Sequence, residues 1–150
     1  MKLPEDVRKR FIRYGRQGGK ARARRLNAEG RRAIAQRAAT SRWTRARFGA
    51  SSFAAAGLPG GEIVDLGLAH LADGTVSPES LAVSLAAPRL RREGVPIGAV
   101  HKNAEDRLYD LLSATNGDLA HARYAAYLEQ VVSFADACRL VRRRRTPGAR

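Results

Sequence analysis

From Arg16 to Phe48 the chain reads RQGGKARARRLNAEGRRAIAQRAATSRWTRARF, a run of arginine and alanine with one tryptophan near its end. Such a segment favours helix at nearly every position, yet it offers no dry face on which a core can close. Asn27 stands where an N-cap belongs and Glu29 puts a carboxylate in the first turn, so a helix is predicted over about 28–47. At about 100° per residue, Ile34, Ala35, Ala38, Ala39, Trp43 and Ala46 share one broad arc, but Arg31, Arg32, Arg42 and Arg45 project into the same arc. A helix charged nearly all round is either loosely ordered or waiting for a polyanion.

The basicity is local. Residues 1–50 hold 16 Lys/Arg against 3 Asp/Glu, residues 51–138 hold 6 against 11, and residues 139–150 hold 6 against none. The three parts carry +13, −5 and +6, which divides the chain into a basic arm (1–48), a linker (49–61), a mildly acidic helical domain (62–142) and a basic tail (143–150). Arginine far outnumbers lysine in the arm, and its guanidinium matches phosphates and guanine edges bidentately. The expected nucleic-acid-binding set is therefore Lys20, Arg22, Arg24, Arg25, Arg31, Arg32, Arg37, Arg42, Arg45 and Arg47, with Trp43 as a stacking group and DNA favoured over RNA. Trp43 has a second reading, as a hydrophobic peg that holds its helix in place.

The segment GGKARARRLNAEGRRAIAQRAATSRW resembles a pattern of Gly-Gly-Lys, Arg-Ala, Leu, Glu-Arg-Arg, Ile-Ala, Ala-Ala and Arg-Trp found in small basic bacterial proteins. These include stress-type proteins rich in Lys-Gly-Gly and proteins described as antitoxins. Asn27 stands where the pattern has threonine or serine, and Gly30 replaces a better helix former. The resemblance implies a basic bacterial nucleic-acid binder, and for the antitoxin setting a toxin as protein partner.

Elsewhere the expected elements are short helices. Pro4, Glu5 and Asp6 make a good first turn, and Val7, Phe11 and Tyr14 follow at i, i+4 and i+7, giving a helix over about 4–17 that Gly18 and Gly19 interrupt as a flexible joint. The small residues, proline and glycines of GASSFAAAGLPGG (49–61) mark the linker. Beyond it, Ile63, Val64, Leu66, Leu68 and Leu71 predict a helix ended by Gly74, and Ser77-Pro78-Glu79 starts another. Pro88 is expected to end or kink that helix near Ala87, with Arg89 to Glu93 continuing for about a turn before Gly94. Asn103 and Asp106 approximate a capping box ahead of Ala104, Leu108, Leu111 and Leu112, and Asp118 caps the last helix. In that helix Tyr124, Tyr127, Leu128, Val131, Phe134, Ala135 and Cys138 fall within about 120°. This stripe reads as core, and alternatively as a surface for a partner protein or a second copy, with Tyr124, Tyr127, Leu128 and Val131 as the contacts. Arg142 to Arg145 suit a helix end or a phosphate, and Thr146-Pro147-Gly148 stops the helix. The fold class expected is all-α.

Cys138 is the single cysteine, which leaves no intramolecular disulfide and suits a reducing cytoplasm. His70, His101 and His121 fall in different expected elements without a metal-binding spacing, and no nucleophile turn, Walker loop or dinucleotide fingerprint is present. The expectation is a non-enzyme without metal or cofactor. The start of the chain lacks an apolar export segment, and no run approaches the length a membrane span requires. Three settings follow: a DNA-binding regulator or antitoxin-like protein, a structural RNA- or ribosome-associated protein, and a module that binds an acidic protein.

Overall fold

The computed structural model describes residues 4–145, in which six α-helices and one 3-10 turn account for all regular structure: α1 (Glu5–Arg25), α2 (Ala28–Phe48), α3 (Gly61–Asp73), α4 (Pro78–Arg92), α5 (Ala104–Asn116), the 3-10 turn Gly117–Leu119, and α6 (Ala120–Arg145). The chain is all-α, as its sequence predicts. The expected stop at Thr146-Pro147-Gly148 and the end of the basic tail lie outside the described residues.

Helix α4 is the hub. Leu81, Ala82, Val83, Ser84, Ala87 and Leu90 are all buried on it, because α3, α5 and α6 pack around it. A helix buried on several sides has no need of a polar face. Its start is set by Ser77, whose Oγ accepts the Ser80 N–H at 3.1 Å while Ser80 Oγ accepts the Ser77 N–H at 2.9 Å. Ser77→Ala should lower the unfolding free energy by about 1 kcal/mol, read as a lower urea midpoint at unchanged m. Close approach to α3 is made possible by Gly67, where an added Cβ would lie 2.5 Å from Val83 Cγ2 and 2.6 Å from the Glu79 carbonyl oxygen.

Three local expectations are corrected. Helix α1 runs unbroken through Gly18 and Gly19 to Arg25, and the break falls at Leu26-Asn27, where Asn27 Oδ1 accepts the Gly30 N–H at 2.7 Å. Each interior glycine costs a helix about 1 kcal/mol, and the surrounding Arg, Lys, Gln and Ala are strong helix formers. Helix α4, by contrast, runs past the exposed Pro88 to Arg92, in line with the further turn expected before Gly94, with Ala87 and Leu90 on either side buried in the core. Asn103 adopts a left-handed backbone (φ 51°) and makes no side-chain cap bond, and Asp118 sits within the 3-10 turn, so neither caps as expected.

The third correction concerns residues 49–61, which form a corner packed around Phe53. Phe53 is fully buried at the centre of the core, and its N–H and that of Ala54 donate to the two Asp65 carboxylate oxygens at 3.1 and 2.9 Å. Gly60 (φ 69°) lies so close to α6 that a Cβ there would be 2.3 Å from the Gln130 carbonyl oxygen. Rings of Trp43 and Phe48 from α2 meet Phe53 edge-on at centroid distances of 5.9 and 6.2 Å, and Phe53 meets Phe134 of α6 at 4.8 Å. Helix α2 is thereby joined to the same core as α3–α6.

A candidate nucleic-acid interface

The packed face of α2 is not the arc its apolar residues suggest. Ala33 and Thr44 are buried and Gln36, Thr40, Trp43 and Arg47 are half-buried, whereas Ile34 is 47% exposed. Thr44 Oγ1 donates to the Thr40 carbonyl at 2.8 Å and Thr40 Oγ1 to that of Gln36 at 3.1 Å, so both hydroxyls are satisfied within the helix and burying them leaves no donor unpaired. Gln36 donates to the Pro96 carbonyl.

This rotation sorts the expected arginines. Arg31, Arg32, Arg42 and Arg45 are exposed on the solvent side. Arg37 instead holds Asp73 of α3 through a hydrogen-bonded ion pair. Arg47 turns inward over the Trp43 ring, its guanidinium carbon 5.7 Å from the centroid, with Nε and Nη2 buried and lacking hydrogen-bond partners. In this structure both are engaged within the fold, and so is Trp43, whose ring is met by Phe48 at 5.6 Å as well as by Phe53. The peg reading of Trp43 is the one its surroundings match.

Beside Arg47 lies Cys138. Burial pushes its thiol up to about 12, with Arg47 and Glu93 acting in opposite directions, so it is an inert packing group at neutral pH. Glu93 is nearly buried and its Oε2 lies 3.4 Å from Arg142 Nη2, while Arg142 Nη1 donates to the Arg92 carbonyl at 2.9 Å. Arg142, expected as a tail or phosphate contact, thus ties the end of α6 to the end of α4.

On α1 all described side chains are exposed except the half-buried Val7. Because the helix is continuous, Lys9, Arg13, Arg16, Lys20 and Arg24 follow at steps of four, three, four and four residues and fall within about 80° of arc. This column is about 22 Å long at about 1.5 Å per residue. Lys9 makes an exposed ion pair with Glu5 at 3.0 Å, which solvent makes weak. Lys9, Arg13 and Arg16 lie beyond the expected set, and their spacing of four and three residues ahead of Lys20 is the signal in the sequence that places them on one face of a continuous helix. Arg22 and Arg25 lie outside the column, on the other side of the helix.

The expected partner-binding residues divide. Val131 is 1% exposed and belongs to the core, which removes it from any contact surface. Tyr124, Tyr127 and Leu128 are half-buried. Tyr127 OH donates to Glu79 Oε1 at 3.0 Å and Tyr124 OH to Glu105 Oε1 at 3.4 Å, and Tyr124 meets the exposed Tyr109 ring edge-on at 5.9 Å. Burial followed by the neighbouring carboxylate raises both phenols. A separate open groove of about 980 Å³ runs between α2 and α3, with Arg32, Ala33 and Gln36 on one wall and Leu68, Leu71 and Asp73 on the other.

One trio could suggest catalysis. His70 Nδ1 lies 2.7 Å from Ser77 Oγ and 3.9 Å from Glu79 Oε2. Serine and carboxylate therefore approach the same ring nitrogen instead of flanking the imidazole, and Ser77 Oγ is already the cap of α4. Its chemistry is that of a helix terminus. Burial raises the Glu79 carboxyl, but its own backbone N–H, Ser77, Tyr127 and His70 outweigh that and leave it below the usual range.

Among the described residues no group of three or more His, Cys, Asp or Glu side chains could hold a metal, and no helix is long and apolar enough to cross a membrane. Comparison with family models, curated proteins and solved structures gives no match to this chain.

Proposed function

We propose that this chain is a non-enzymatic nucleic-acid-binding protein, with duplex DNA preferred to RNA, whose helical domain holds a protein partner in the manner of a small cytoplasmic regulator or antitoxin. The reading rests chiefly on the exposed column Lys9, Arg13, Arg16, Lys20 and Arg24, which the outer arginines Arg31, Arg32, Arg42 and Arg45 extend. Cations spaced along two rigid helices answer the repeating charge of a phosphate backbone, and guanidinium groups add bidentate contacts. On the partner side, the net −5 of residues 51–138 and the exposed edges of Tyr109, Tyr124, Tyr127 and Leu128 support a second surface. The local resemblance in residues 18–43 supports the regulator setting.

The test is a fluorescence-anisotropy titration of the full chain and of a variant with Lys9, Arg13, Arg16, Lys20 and Arg24 all changed to Gln, against duplex DNA and structured RNA. The variant should keep its unfolding midpoint, because no column residue packs on the core, and should lose most of its binding. Equal binding by both proteins would remove the reading. Tighter binding to structured RNA than to duplex would replace the regulator with an RNA-associated protein.

A further inference from the structure

Beside the cationic column, α1 carries a second stripe. Arg10, Tyr14, Gln17 and Ala21 follow at steps of four, three and four residues, fall within about 60° of arc, and lie about a quarter turn from the centre of the column. All four are exposed, Tyr14 by 66%. Gly15, Gly18 and Gly19 fall on the opposite side of the helix, so column and stripe are free of glycine. Glu5 and Asp6, the carboxylates of this helix, stand in its first turn, which confines their repulsion of a polyanion to one end.

We propose that α1 lies in the major groove of B-form DNA, with the column along one phosphate wall and the stripe towards the base edges. This seating rests on the nucleic-acid reading above and adds sequence readers to it. A helix with its side chains is about 10–12 Å across and the groove about 12 Å wide, so only a helix free of its own domain can enter. Helix α1 meets that condition, since all its described side chains are exposed except the half-buried Val7 in its first turn, whereas α2 is held to the core through Trp43 and Thr44. A helix seated in the groove meets phosphates at its flank and base edges beneath, which is the quarter-turn relation of column to stripe. The stripe's chemistry suits that floor. Arg10 can donate two hydrogen bonds to guanine O6 and N7, Gln17 can pair with adenine N6 and N7, and the Ala21 methyl can meet that of thymine. Arg10 and Gln17 stand about 10.5 Å apart along the helix, which is about three base-pair steps. The minor groove is about 6 Å wide and A-form RNA has a narrow major groove, so neither admits α1.

Selection of duplexes from a randomised library by the full chain, followed by anisotropy titration of the selected sites, tests the seating. The sites should share a guanine and an adenine about three base pairs apart, and exchanging that G·C pair for A·T should weaken binding by about 5- to 150-fold. Arg10→Ala should abolish the preference at the guanine and Gln17→Ala that at the adenine. Each variant should keep its unfolding midpoint and its salt slope, because neither side chain packs on the core or meets a phosphate. Placing 7-deazaguanine at the guanine removes the major-groove N7 and should weaken the complex, whereas inosine removes only the minor-groove amino group and should not. Steep salt dependence without sequence preference, a preference that survives Arg10→Ala, loss with inosine instead of 7-deazaguanine, or equal binding to duplex RNA would each overturn the seating and leave a nucleic-acid binder. Binding to no nucleic acid even in low salt would remove both.

Discussion

Replacing Phe53 by alanine should lower the unfolding free energy by about 3–5 kcal/mol, a large fraction of what a domain this size has. The ring is fully buried and lies where three parts of the chain meet: Trp43 and Phe48 from α2, the corner itself, and Phe134 from α6. Truncation would remove the aromatic surface and leave a cavity that the short corner cannot collapse to fill, since Asp65 pins the Phe53 and Ala54 backbone. Trp43 would then lose one of its two edge contacts. A Phe53→Leu variant keeps most of the volume and should cost under about 1.5 kcal/mol if the site repacks. Urea unfolding followed by tryptophan fluorescence reads both the free energy and the seating of Trp43. A loss below about 1 kcal/mol for Phe53→Ala would mean that residues 49–61 act as the tether that their composition suggests.

That contrast between composition and packing explains what the sequence makes legible. Helices α3 to α6 are evident because their signals are local: Ser77-Pro78 starts α4, Gly74 ends α3, and Val131, Phe134, Ala135 and Cys138 fall on the buried face of α6. What escapes is decided at longer range. One phenylalanine among Gly, Ala and Ser does not outweigh its neighbours in any window average, yet Phe53 organises the junction. On α2 the apolar arc from Ile34 to Trp43 is misleading because threonines bonded to their own helix bury as easily as alanines, and the inward face is built from Ala33, Thr40 and Thr44. The Gly18-Gly19 pair looks like a joint because glycine weakens helices, but its cost is spread over a 21-residue helix of otherwise strong formers. A continuous helix is what brings Lys9, Arg13 and Arg16 into line with Lys20 and Arg24. The same physics divides the expected arginines, since whether a guanidinium is free depends on the partner across the fold, as Asp73 is for Arg37 and the Trp43 ring for Arg47.

Because α2 shares the core, removing residues 1–48 would expose Phe53 and Phe134, so charge substitution is a cleaner probe of the arm than truncation at the expected linker. Truncation just before Asn27 remains sound, since it removes α1 alone and leaves the α2 cap intact.

Raising salt from about 50 to about 200 mM should weaken nucleic-acid binding of the full chain by roughly 10³- to 10⁵-fold. Nine exposed cations can meet phosphates: five in the α1 column, where the Lys9–Glu5 pair is weak, and Arg31, Arg32, Arg42 and Arg45 on α2. Each phosphate neutralised contributes about −0.9 to the slope of log K against log salt, so nine contacts give about −8. Changing the five column residues to Gln should reduce the slope to about −4, and a chain beginning at Asn27 should give the same value. Agreement between those two variants would place the lost contacts on the column and leave Arg22 and Arg25 without a phosphate role. Arg37→Gln and Arg47→Gln make the opposite prediction, leaving the slope unchanged, because their guanidinium groups are committed to Asp73 and Trp43. A slope that falls by about one unit for either would mean that these contacts open on binding, and that nucleic acid competes with the core for α2.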